Sequence, residues 1–406
     1  LLGLAAFLLI IGPKALDPTN IAWLQVGDPA QHYLGWAFFR QSPWGWPLGL
    51  NPRFGLDIGT SIVYSDSIPL LAIFFKGWSG MLPEPFQYFG LWMLLCFVLQ
   101  AYFGLLLLGL ITSVRWLQLL GAAFFTLSPI MLWRMGLHAA LAGHFLILAA
   151  LYLTLRPLPK EQRTSPIIPW IVVISCAALV HAYLLAMVLI LWLVDLAMRY
   201  QQLVQIKRQS TGMTLEQLLM LSLPSLAQIC LVAIVLWGVM WQAGYFVVSN
   251  PSTGVNYGEG HLNLFGLVDS GRWSYLLQDI PTALLLIAAV LMTLFAISNN
   301  IGLGGYSFFI PLPKVITDVA GILRSSSRLF WPVYYLIILL VLYIIIKSYS
   351  TKSALIILTL GLIIQVVDTS HGWKVLRHKM MQPPSKTMGT PLVDPFWEQA
   401  AKRYER

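Results

Sequence analysis

Long apolar runs separated by short polar loops constrain this chain more than any other feature. The run from Phe89 to Ile111, FGLWMLLCFVLQAYFGLLLLGLI, carries no charged residue. A helix of that length crosses the hydrocarbon core of a bilayer. In lipid only helices and closed barrels satisfy every backbone group. The runs here are continuous and do not alternate apolar with polar, which selects helices over a barrel. Composition agrees. The chain has 406 residues, of which 58% are hydrophobic and 10% charged, with a mean hydropathy of +0.75. Soluble domains carry about 25% charged residues. The expected fold class is all-α, a polytopic transmembrane helical bundle.

Spans are expected at 1–12, 86–111, 116–133, 138–155, 167–181, 183–198, 214–246, 281–297, 329–346 and 353–367. The opening run reads as a first span trimmed at its start. The run at 68–82 is short and interrupted by Gly and Pro, as in an interfacial or re-entrant segment. The run at 214–246 exceeds the bilayer's need, so it tilts, or projects with a bend at Pro224. Residues 1–367 form the transmembrane domain, with 13–66 as a structured first outer loop. Residues 368–406 form an outer tail that resembles the start of a soluble domain.

Basic residues in short loops set orientation. Arg156, Lys160 and Arg163, then Arg199, Lys207 and Arg208, then Lys347 and Lys352 mark cytoplasmic loops. Segments 13–66, 134–138, 181–183 and 247–275 then face the other side. Segments 247–275 and 300–328 both read as outward with one span between them, a parity conflict that a re-entrant hairpin or a missing stretch near 270–282 resolves. The net charge of +9 sits mostly at span ends and in the tail, and does not indicate nucleic acid. Cys96, Cys176 and Cys230 each lie within an apolar run and form no metal or disulfide framework.

Polar residues with chemical potential gather at outward positions. In GDPAQHYLGWAFFRQSPW, from Gly27 to Trp44, Pro29 is expected to start a helix with Asp28 as its cap. Asp28 and His32, four apart, share a face. Tyr33, Trp36, Ala37, Phe39 and Arg40 suggest an interfacial amphipathic helix. A carboxylate beside an imidazole suits general-base chemistry. Asp66 either caps the following apolar run or joins Tyr64 in a pocket facing Asp28. Arg134, His138 and His144 lie at or near the outer ends of two spans, and His181 and Tyr183 lie between two others. Five of the seven histidines, His32, His138, His144, His181 and His261, are therefore outward or nearly so. Tyr257, Glu259 and His261 belong to a glycine-rich loop able to close on substrate. Arg324 and Arg328 either anchor the interface with Trp331 or hold a lipid phosphate bidentately.

A first span, a large outer loop with an early Asp, and polar residues on the next outer loop resemble the GT-C superfamily of membrane glycosyltransferases. GDPAQHYLGWAFFR, SIVYSDSIPL and RSSSRLFWPVYY are similar to strings of a bacterial polytopic family placed in that superfamily, over most of the chain. The resemblance implies a polyprenyl-phosphate sugar donor, a glycan, lipid or protein acceptor, and catalysis at the periplasmic face of the bacterial inner membrane. It implies Asp28 as base or acceptor ligand. Such enzymes often place a second acidic residue in the next outer loop, where this chain has Arg134 and His138. That departure favours a site with no cofactor and no metal over one using a divalent cation. The expected reaction is inverting displacement, with Asp28 and His32 catalytic and Arg324, Arg328 or Arg134 on the departing phosphate. A transporter or flippase of lipid-linked saccharides is the alternative, although no inverted repeat is visible.

Overall fold

The computed structural model describes residues 1–55, 59–157, 166–211, 215–248, 283–303, 306–323, 325–389 and 394–403. The protein is mostly helical, an all-α polytopic membrane protein. The helices in chain order are α1 (Leu2–Ile10), α2 (Asp28–Gln41), α3 (Pro69–Lys76), α4 (Phe89–Gly109), α5 (Arg115–Thr126), α6 (Pro129–Met135), α7 (Phe145–Leu155), α8 (Ile167–Val180), α9 (Ala182–Thr211), α10 (Leu215–Ala243), α11 (Ala283–Ile297), α12 (Lys314–Ala320), α13 (Trp331–Ser348), α14 (Thr351–Met380) and α15 (Pro395–Arg403). Two small antiparallel pairs accompany them, β1 (Leu50–Asn51) with β2 (Thr60–Ser61) and β3 (Asn300–Leu303) with β4 (Tyr306–Phe309).

Among the described residues five helical stretches are long and apolar enough to cross a membrane: Phe89–Gly109, Ala182–Gln205, Ser222–Ala243, Ser326–Ser348 and Thr351–Met380. The run expected as one span at 116–133 is instead two helices, α5 and α6, bent by 47°. Pro129 is the reason. It starts α6 and pushes Ser128 into extended backbone, ending α5. The run at 138–155 is likewise divided, with a 3₁₀ turn at Ala139–Ala142 before α7. Pro224 lies inside α10.

The core forms around α4 and α7. Helix α4 packs on α1, α5 and α7, and α7 also contacts α8, α9 and α13. Nine of the eleven residues of α7 are buried, as expected of a helix that is apolar all round.

The first loop is folded onto the bundle, and its apolar stripe faces protein. Tyr33, Trp36 and Phe39 of α2 are almost wholly buried. The Trp36 indole N–H donates to the Phe86 carbonyl at 2.9 Å, and its ring meets Tyr88 edge-on. Arg40, expected as the cationic end of an interfacial stripe, donates to the carbonyls of Ser79, Leu82 and Pro83. The interfacial-helix expectation is therefore corrected: this face is consumed by α3 and the start of α4. Loop 1 also grips the end of α10. The Gly49 amide donates to the Gln242 carbonyl, and the Tyr64 hydroxyl to the Tyr245 carbonyl at 2.6 Å.

The boundary drawn at 367 lies inside α14, which runs unbroken to Met380. The segment beyond packs on the start of the chain. Arg377 donates to the Leu8 and Leu9 carbonyls, Lys14 to the Met381 carbonyl, and the Ile21 amide to the Ser385 carbonyl. Of the two segments in the parity conflict, 300–328 is mostly described, whereas 249–275 and the stretch near 270–282 lie outside the described residues.

Candidate functional site

Helix α2 presents the first carboxylate. Gly27, not Asp28, is its N-cap, with φ 69° and ψ −149°, and no side chain caps the helix. Glycine adopts that backbone at little cost. Asp28 is thus the first helical residue, and its carboxylate is released from capping. It accepts from His138 Nε2 at 2.8 Å.

The second carboxylate comes from the tight turn before α3. Asp66 and Ile68 both adopt left-handed backbone, φ 53° and 54°, which is strained for a β-branched residue such as isoleucine. The turn is held from three sides. Ser67 Oγ donates to the His32 carbonyl at 2.7 Å, Ser65 and Ser67 hydroxyls bond each other at 2.8 Å, and the Tyr88 hydroxyl donates to the Ser67 carbonyl. Gly35 lets the turn approach α2: a Cβ there would lie 2.2 Å from Ser65 Oγ. Asp66 does not cap α3, whose N-cap is Ile68. Its carboxylate instead meets His181 Nε2 at 3.4 Å and lies 4.0 Å from His138 Nδ1.

His138 is the hub. Helix α6 ends at Gly136, so Arg134 and His138 do not share a helical face. The His138 ring points one nitrogen at each carboxylate and lies 5.5 Å from the His32 ring. His32 therefore approaches Asp28 through His138, and is itself buried. Burial holds its imidazole down to about 4, against the attraction of Asp66 and Asp28. Burial also lowers His138, opposed by Asp28 and Asp66 and assisted by Arg328 and Arg134. His181 is oriented from behind. Its Nδ1 accepts the Tyr183 amide at 3.1 Å, so Nε2 carries the proton that faces Asp66.

A cationic and aromatic wall adjoins the cluster. The Arg328 guanidinium lies over the Tyr183 ring at 4.5 Å, and that ring stacks on His181. The Tyr183 hydroxyl accepts the Ser325 amide at 2.6 Å, tying the turn before α13 to α9. Arg134 lies over the Trp331 ring at 5.4 Å. The planar fork of guanidinium donors matches the geometry of oxyanions.

Some expected site residues lie elsewhere. His144 is wholly buried and bonds the Tyr335 hydroxyl at 2.7 Å, with the Trp331 ring tilted against it at 4.3 Å. Tyr335 also meets Gln100 and Ser128, so His144 belongs to a network linking α4, the α5–α6 bend, α7 and α13. The Tyr64 hydroxyl donates to the Tyr245 carbonyl. Tyr257, Glu259, His261 and Arg324 lie outside the described residues. Residue pattern alone does not mark Trp331 as a platform for Arg134 and His144, or Tyr245 as the clasp on loop 1. Trp331, three residues after Arg328 in RLFW, carried a signal of its own but reads as an interface anchor.

The arrangement provides two carboxylates, three histidines and two arginines at the meeting of loop 1, the α6–α7 turn, the α8–α9 junction and the start of α13. It can accept a proton, hold an oxyanion, or ligate a cation. No curated protein and no solved structure matches the chain. A family model described as a domain of unknown function, DUF6311, matches residues 1–284 and 281–370, and the chain accordingly belongs to the DUF6311 family.

Proposed function

We propose that the protein is a GT-C-like glycosyltransferase that moves a sugar from a polyprenyl-phosphate donor to an acceptor hydroxyl at the periplasmic face of the bacterial inner membrane. One observation carries the reading. A half-exposed Asp28 carboxylate is oriented by His138 at 2.8 Å, while two aromatic-stacked arginines act electrostatically on the same imidazole. An anionic leaving group beside a carboxylate base is what transfer from a lipid phosphate requires.

Asp28 keeps one oxygen on His138 and takes the acceptor's proton with the other. The acceptor oxygen attacks the anomeric carbon as the carbon–oxygen bond to phosphate breaks, inverting the centre. The bonding electrons leave on the phosphate, whose growing charge Arg134 and Arg328 stabilise. His32, buried behind His138, acts as a positioning residue. The glycan, lipid or protein acceptor enters from the aqueous side, and the donor chain stays in the bilayer.

The test is release of polyprenyl phosphate by the purified protein from polyprenyl-phosphate sugars. Asp28→Asn is expected to lower release by about 10²–10⁴-fold with an unchanged unfolding midpoint. Full turnover in that variant would overturn the base assignment. Movement of lipid-linked saccharide across vesicles without lipid-phosphate release would replace the transferase by a flippase.

A further inference from the structure

His138 and His32 leave a question that base chemistry does not answer. His138 Nε2 lies 2.8 Å from an Asp28 oxygen. A carboxylate only accepts, so Nε2 carries the proton. The opposite nitrogen, Nδ1, is buried and has no hydrogen-bond partner. Asp66 lies 4.0 Å from it, beyond hydrogen-bond reach, so the ring is not a closed relay between the carboxylates. His32, whose ring lies 5.5 Å from the His138 ring, is only 2% exposed. Buried polar nitrogens normally find partners. One donor atom each from His32, Asp66 and His138 lies within 4.8 Å of the other two.

We propose that His32, Asp66 and His138 form a binding site for a single divalent metal ion of the zinc type. Two imidazoles and one carboxylate suit borderline ions such as Zn²⁺ or Co²⁺, whereas Mg²⁺ and Ca²⁺ prefer all-oxygen sets. Three protein ligands leave a position for a substrate oxygen, as in catalytic zinc sites. Outer partners are already in place. Asp28 holds the His138 N–H in the carboxylate–histidine–metal arrangement, and His181 bonds the ligating Asp66. The Ser67 hydroxyl on the His32 carbonyl couples the two chain segments that supply His32 and Asp66. Metal–ligand bonds of about 2.0–2.2 Å draw the donors together by roughly an ångström, within reach of side-chain rotation. The proposal departs from the metal-free expectation of the sequence, because the second carboxylate arrives from loop 1 itself.

The binding claim does not rest on the transferase reading. Purified protein is stripped with chelator and titrated with Zn²⁺, Co²⁺ or Mg²⁺ alone, with calorimetry, bound-metal stoichiometry and the Co²⁺ visible spectrum as readouts. One Zn²⁺ or Co²⁺ per chain, with a low-symmetry Co²⁺ spectrum, is expected. Asp66→Asn, which keeps the side chain's shape, and His32→Ala should each weaken binding at least 10-fold. Asp28→Asn should weaken it roughly 10–100-fold while retaining stoichiometry. No uptake by wild-type protein overturns the site. So does uptake indifferent to His32→Ala and Asp66→Asn, or a response to Mg²⁺ alone. Metal binding without lipid-phosphate release would leave the site standing and the transferase reading overturned. Release from protein that takes up no metal would do the reverse.

Discussion

Two groups of buried or half-buried charge among the described residues are built on opposite plans. Within the helices, Asp195 and Arg199 of α9 approach to 2.7 Å with side chains 1% and 8% exposed. The Trp170 indole donates to the other Asp195 oxygen at 2.9 Å, and Arg199 donates to the Leu153 carbonyl at 2.9 Å. That group ties α7, α8 and α9 together and is closed to solvent. At the loop-1 end, Asp28, Asp66 and His138 keep side chains 47%, 30% and 23% exposed, and the buried His138 Nδ1 has no hydrogen-bond partner. The first cluster is paired and enclosed, as structural ion pairs in a membrane must be. The second is accessible, held by strained backbone and incompletely joined. Strain and incomplete pairing of this kind collect where a ligand completes the site.

This contrast predicts different consequences for matched substitutions. The largest effect is expected for His138→Ala, which removes the orienting N–H from Asp28: lipid-phosphate release should fall by roughly 10²–10⁴-fold, while the unfolding midpoint in detergent stays near wild type. A large drop in midpoint would make the two clusters alike. Asp195→Ala is expected to do the opposite. Leaving Arg199 buried and unpaired costs about 3–5 kcal/mol, seen as a lower midpoint, and the apolar pair Asp195→Leu with Arg199→Met should recover most of it. A smaller effect follows from Gly35→Ala. Its Cβ would strike Ser65, an overpacking cost of about 1–3 kcal/mol, and the shifted turn should also reduce turnover by moving Asp66. Tyr183→Phe is the mildest. Loss of the acceptor for the Ser325 amide costs about 1 kcal/mol and should raise KM for the lipid donor more than it lowers kcat, because Arg328 keeps its ring platform.

Much of the architecture was legible from apolar run length. Each expected span contains a helix, since a backbone in lipid has few alternatives. The breaks were less legible. SPIMLW at 128–133 looks continuous in hydropathy, and only the stereochemistry of Pro129 divides it. The site was legible as residue types at outward positions: His32, His138, His181, Asp28 and Asp66 do converge. The pairings were not legible, because i, i+4 spacing links Asp28 to His32 while the fold links Asp28 to His138, more than a hundred positions away.

The sequence by itself therefore determined the membrane environment, the helices and the stock of ionisable groups near one end of the spans. These follow from local chain chemistry and the transfer cost of charge. Tertiary structure alone decided that Gly27 and not Asp28 caps α2, that the α2 apolar stripe faces protein, that His144 joins Tyr335 rather than the carboxylates, and that Asp66 supplies the second acid. Those outcomes depend on where loop 1 docks, and docking is set by packing among segments far apart in the chain, which no local pattern encodes.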